Sequence, residues 1–166
     1  WFYAKLGVST IGVPFFGMCG VLVLQRAARA SDGGALWANT WLGPARRWAS
    51  ATPVALDRNP GDLHHTDPER RRTAFRAAEA CVIEAVCRTG LPAPDEVDVL
   101  RACALPGTAA PHQYPRFPAA ARRPQRVLVH ARLGFSELVR GPVLAGAGRY
   151  QGLGLFLPDD ERDDTW

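Results

Sequence analysis

A chain of 166 residues with 47% apolar and 22% charged side chains can bury the core of one domain, which excludes wholesale disorder. Its 20 basic residues are 19 arginines and Lys5; against 16 acids they give a formal net charge of +4, but five of the acids crowd into the last eight residues, so residues 1–158 alone carry +8. Arginine stays charged and forks onto phosphate, so this balance suits a polyanion such as RNA or DNA, although a GC-rich genome inflates arginine and alanine alike.

The chain opens at Trp1 rather than Met, and an upstream part is expected before it. Leu6 to Leu24 is uncharged and is followed by Arg26, Arg29 and an Ala28-Arg29-Ala30 that imitates a signal-cleavage site. Gly7, Gly12, Pro14, Gly17 and Gly20 break this stretch, and its most hydrophobic run, Val21 to Leu24, is short. It reads as a loop followed by a buried strand near Cys19 to Gln25, not as a membrane span; a membrane-anchored or secreted domain is the competing reading. A loop through Ser31-Asp32-Gly33-Gly34 follows.

Arg47 to Leu56 is expected to be a strand, ending in the turn composition Asp57-Arg58-Asn59-Pro60-Gly61. The next element carries the chain's strongest helix signal. Thr66 or Asp67 can cap it, Pro68 suits the first helical position, Glu69 favours the positive end of the dipole, and Gly90 with Pro92 stops it. Phe75, Ala78, Val82, Ala85 and Val86 form its apolar stripe, with Arg72, Arg76 and Glu79 away from it. A strand around Val97 to Cys103 precedes a proline-rich loop from Pro106 to Pro124.

Arg126 to Phe135 alternates: Val127, Val129, Ala131, Leu133 and Phe135 point one way, and Arg126, Leu128, His130, Arg132 and Gly134 the other. One side is expected to pack on the helix and the other to face a ligand. Ser136-Glu137 is expected to turn the chain into Leu138 to Leu144, and a final short strand covers Leu153 to Leu157. Strand, helix, strand, strand and strand read as an α+β sandwich of the ferredoxin-like kind.

Cys19, Cys81, Cys87 and Cys103 form no C-x-x-C pair, and the four histidines lie at no zinc-ligand offset from them, so no metal site is expected. Few cysteines, mostly in apolar runs, fit buried thiols in a reducing cytosol. Gly146, Gly148, Gly152 and Gly154 surround Arg149 and Tyr150 in a glycine-rich loop. Its spacing misses the dinucleotide fingerprint by one residue, a strand rather than a helix follows it, and it lacks the Gly-Lys-Ser/Thr of a P-loop. What remains is a backbone able to approach a polyanion, with Arg149 for charge and Tyr150 for stacking. A hairpin whose glycines serve only tight packing is the competing reading.

Val139-Arg140-Gly141-Pro142-Val143-Leu144 followed by Gly146 to Phe156 resembles the C-terminal glycine-rich loop of the RAMP superfamily of CRISPR-associated proteins. More narrowly, the chain resembles the type I-U (I-G) subunit that fuses a backbone-capping domain to a repeat-processing endoribonuclease domain. Gly43-Pro44-Ala45-Arg46-Arg47-Trp48-Ala49-Ser50-Ala51-Thr52-Pro53 and Leu56-Asp57-Arg58-Asn59-Pro60-Gly61 support this, over about residues 40–157. The resemblance implies a junction or partial preceding RAMP domain over 1–45, a ferredoxin-like RNA-binding and processing domain over 46–157, and an acidic tail over 158–166. It implies a cytoplasmic antiviral protein without cofactors that binds CRISPR repeat RNA, cuts it once beside a hairpin, and stays on the 3′ end with other Cascade subunits. A RAMP subunit that only binds and caps the RNA is the alternative.

Cleavage of this type uses a base on the ribose 2′-hydroxyl, an acid on the leaving 5′-oxygen and a cation at the phosphate; histidine suits both proton transfers. His64 and His65, with Arg58 just before them, are the catalytic candidates, ahead of the helix N-terminus. Arg126, His130, Arg132, Arg149, Tyr150 and the four loop glycines are the RNA-binding candidates. His112, in the proline-rich loop, is not selected. The family often has a histidine at the position held here by Asn59, which cannot shuttle a proton.

Overall fold

The computed structural model describes residues 38–118 and 124–159. The expected strand near Cys19 to Gln25, the Leu6 to Leu24 stretch, the Ser31 to Gly34 loop and nearly all of the acidic tail lie outside those residues. The elements are α1 (Ala38–Leu42), β1 (Ala45–Ser50), β2 (Val54–Ala55), α2 (Pro68–Cys87), β3 (Glu96–Leu100), β4 (Leu128–Val139) and β5 (Phe156–Pro158), with single 3-10 turns at Pro111–Gln113 and Arg149–Gln151.

The expected strand Arg47–Leu56 is two strands, β1 and β2, laid end to end along β4. Pro53 has no N–H for a ladder, so the chain bulges there. Ala49 pairs with Arg132 and Val54 with Val129, so β1–β2 advances further than its partner between the two pairs. The amides of Ala51 and Thr52 donate instead to the Leu155 carbonyl (2.7 and 3.2 Å), and Thr52 Oγ1 accepts from the Leu155 amide (2.9 Å). In the turn that follows, Asn59 Oδ1 accepts from the Gly61 amide (3.0 Å), and Gly61 takes φ 101°.

The helix forms where its caps predict. Asp67 Oδ1 accepts from the Glu69 amide (2.9 Å), Pro68 opens α2, and Gly90 leaves its end at φ 85°. Its buried side chains are Ala74, Ala78, Cys81, Val82, Ala85 and Val86, close to the expected stripe, with Phe75 half-buried at its margin.

β4 does not turn at Ser136-Glu137. It runs on to Val139, because Val139 still pairs with Ala45, and the Ser136 amide donates to Asp95 Oδ2 just before the start of β3. The expected strand Leu138 to Leu144 is therefore the end of β4, followed by Gly141-Pro142 and a lone bridge between Leu144 and Leu155.

The sheet order is β3–β4–β1–β5, antiparallel throughout, with β2 extending β1. β1 and β3 thus flank β4 in the same direction with α2 between them in sequence, a split β-α-β unit. This mixed α/β architecture is consistent with the ferredoxin-like expectation, but the connection from β4 to β5 holds a 3-10 turn where a complete unit has a second helix. The core is one cluster in which Val54, Leu56, Val99, Val129, Ala131, Leu133, Phe135, Trp48, Val139, Val143 and Phe156 join the buried side of α2. Among the described residues no helix is long and apolar enough to cross a membrane.

Candidate nucleic-acid interface

A groove of about 520 Å³ opens between the approach to α2, the end of β3 and the proline-rich loop. It gathers residues from five separate stretches of chain. Arg101, Arg116 and Arg126 supply positive charge, His64 and His112 supply titratable nitrogens, and Phe75, Tyr114 and Phe117 supply aromatic faces.

Local chemistry fixes these groups. Asp62 Oδ1 accepts from the His64 amide (2.8 Å), an Asx turn that sets His64 ahead of α2. His112 rides on the 3-10 turn Pro111–Gln113, closed by Gln113 N–H to the Ala110 carbonyl (2.9 Å) and by Gln113 Oε1 accepting from the Ala110 amide (3.0 Å). Arg101 lies over the Phe75 ring, 5.6 Å from its centroid, and donates to the Leu63 carbonyl (3.4 Å). Arg126 donates to the carbonyls of Leu56 (3.1 Å) and Asp57, with the Asp57 carboxylate 3.9 Å away.

The other catalytic candidates stand apart from this groove. His65 uses Nδ1 to accept the Asp67 amide (3.0 Å), and its carbonyl accepts from Arg71 (3.2 Å), so it braces the start of α2. Arg58 pairs with Glu84 on the helix; the Cys81 thiol and the Glu84 carboxylate beside it raise its already high pKa. The structure therefore places His64 and His112 along the same groove, whose lining does not include His65 or Arg58.

His130 corrects the expectation of a ligand-facing strand side. Its side chain is fully buried: Nδ1 lies 2.9 Å from Ser50 Oγ, Nε2 lies 3.0 Å from the Ala109 carbonyl, and the Tyr114 ring meets it edge-on. Alternation separates two faces of a strand, but here the proline-rich loop covers the second face at this point. Arg132, two residues on, lies in a different and smaller cleft of about 170 Å³ with Arg47, Glu96 and Asp98, and its Nε is 3.3 Å from Asp159. Arg126 and Arg132 thus face separate cavities.

In the glycine-rich loop, three of the four glycines serve close packing. A Cβ on Gly146 would stand 2.7 Å from the Ala55 carbonyl oxygen, one on Gly148 2.7 Å from Leu153 Cδ1, and one on Gly154 1.8 Å from the Ala145 carbonyl oxygen. The amides of Ala147 and Gly154 are spent on the carbonyls of Ala55 and Pro53 (2.9 Å each). Gly152, at φ 78°, has open space around it and ends the 3-10 turn. The loop's outward part is Arg149 stacked on Tyr150, 4.6 Å from the ring centroid, with Tyr150 74% exposed.

The residues that sequence reasoning missed carried a signal. His112-Gln113-Tyr114-Pro115-Arg116-Phe117 interleaves basic, aromatic and titratable groups, a pattern that the surrounding alanine, proline and arginine bias concealed. Over residues 24–158 the chain is similar to a family described as "CRISPR-associated protein, GSU0054 family". Searches of curated proteins and of solved structures found no match.

Proposed function

Because the chain belongs to the GSU0054 family of CRISPR-associated proteins, we propose that it binds CRISPR repeat RNA in the His64–His112 groove and cleaves it without a metal. In this reading it is the processing part of a fused type I-U/I-G subunit that stays on the 3′ end of the product with its Cascade partners. The observation that carries the proposal is the meeting of two histidines, three arginines and three aromatic rings in one groove. A volume of about 520 Å³ is that of a small-ligand pocket, so it suits an unpaired nucleotide beside the repeat hairpin, stacked on an aromatic face.

His64 and His112 divide the two proton transfers, each worth typically about 10²–10⁴-fold. One takes the proton of the ribose 2′-hydroxyl as the 2′-oxygen bonds to the adjacent phosphorus. The other gives a proton to the 5′-oxygen as its bond to phosphorus breaks. The products are a 2′,3′-cyclic phosphate and a 5′-hydroxyl, with no water consumed. Arg101, Arg116 and Arg126 oppose the charge that gathers on the phosphate. Incubation with labelled repeat RNA in EDTA tests this. A cyclic-phosphate product, slowed by about 100-fold or more in His64→Ala and in His112→Ala but not in His65→Ala, is expected.

Asn59 favours a second reading, a RAMP subunit that binds and caps the RNA without cutting it. Its Oδ1 closes a turn at the position where the family often has a histidine. RNA binding with no product from the wild-type chain would select that reading over the first.

A further inference from the structure

Among the described residues between β3 and β4 the regular structure is the single 3-10 turn Pro111–Gln113, and Pro106, Pro111, Pro115 and Pro118 supply no N–H donors there. Several of its hydrogen bonds are internal, such as Gln113 N–H to Ala110 (2.9 Å) and Tyr114 N–H to Pro111 (3.2 Å). Ties to the sheet side include Cys103 Sγ to the Ser50 carbonyl (3.1 Å), the Arg126 amide to the Phe117 carbonyl (2.8 Å) and His130 Nε2 to the Ala109 carbonyl (3.0 Å). The last lies closest in sequence to His112. The two loop contacts of the His130 ring, Ala109 and Tyr114, bracket His112 on either side.

The bond directions follow from the tautomer that satisfies both ring nitrogens. A carbonyl only accepts, so His130 Nε2 carries the hydrogen toward Ala109, and Nδ1 accepts from the Ser50 hydroxyl. Ser50 Oγ in turn accepts the Ala131 amide (2.9 Å). The chain of bonds runs from the sheet backbone through Ser50 and His130 into the loop, with each ring nitrogen satisfied.

We propose that His130 is the positioning residue that sets the loop wall of the groove, and with it the place of His112. The proposal rests on the reading of that groove as the RNA site, and it gives a buried histidine a role at a distance from the substrate.

The test compares His130→Leu, which fills the space without a donor, with His130→Gln, whose amide nitrogen can still reach the Ala109 carbonyl, in the full chain. In His130→Leu, hydrogen exchange at the Gln113 and Tyr114 amides should quicken by about 10-fold or more while the α2 amides keep their rates. Single-turnover cleavage of repeat RNA should slow by about 10-fold, and His130→Gln should recover most of both. Unchanged exchange at Gln113 and Tyr114, or an equal rise throughout α2, overturns the proposal. Nitrogen NMR of the wild-type ring decides it even where His130→Leu does not fold: an Nε2–H coupled to the Ala109 carbonyl supports it, and an Nδ1–H tautomer overturns it. A wild-type chain that neither binds nor cuts RNA would remove the reading of the groove, while exchange and NMR still decide the positioning role.

Discussion

Buried in β4, His130 has its pKa held below the usual 6.5 by loss of solvent, against the pull of the Ala109 and Ser50 backbone. As pH falls through 6.5 the unfolded chain binds the proton before the folded one, so this contribution to stability is complete above 6.5 and declines below it. The slope is at most about 1.4 kcal/mol per pH unit. Urea midpoints at pH 7.5 and 5.5 should therefore separate in the wild type and move together in His130→Gln; equal separation in both would refute it. Sequence alternation assigned the parity of His130 correctly, with Leu133 and Ala131 on the helix side, and said nothing of what lies over the other side. A loop ordered by proline and carried past the strand from twenty or so residues upstream leaves no mark in a strand's own periodicity.

At the scale of elements, the boundaries that local chemistry sets were readable in advance. Asp67, Pro68 and Gly90 act within a turn of their own positions, and α2 begins and ends by them. Strand limits followed partners instead: β4 extends to Val139 because Ala45 and Asp95 hold it, and β1 breaks from β2 where the glycine-rich loop offers Leu155 as an alternative acceptor. That loop is built into the sheet, which gives its glycines unequal weight. Gly154→Ala, at φ 69° with its Cβ driven onto the Ala145 carbonyl, should cost about 2–4 kcal/mol, and Gly152→Ala, with open space around it, only about 1 kcal/mol. Chemical denaturation of the two variants checks the order, and equal costs would show that the loop is not a packing element.

Over the whole molecule, the basic excess of the sequence is not a uniform coat. Arg58, Arg88 and Arg132 are turned toward Glu84, Asp57 and Asp159, whereas Arg101 and Arg116 reach the groove. RNA affinity should fall steeply with salt, and Arg101→Ala or Arg116→Ala should each shallow the slope of log affinity against log salt by about 0.7, the value for a single-strand phosphate contact. Arg132→Ala should leave that slope unchanged, and filter binding across a salt series reads all three. The family similarity runs from residue 24 to 158, across the boundary expected at residue 45. The length and the arginine-rich charge follow from composition, and the α2 caps, the strand faces and the motifs that resemble CRISPR-associated proteins depend on residue type and near spacing, so the sequence alone determined them. The placing of His64 and His112 along one groove, the burial of His130 and the division of the arginines between two cavities depend on chain segments far apart in sequence. The proline-rich loop packed against β4 forms the groove wall and covers His130, and the sheet neighbours of β4 form the cleft around Arg132, so only the tertiary structure decides them.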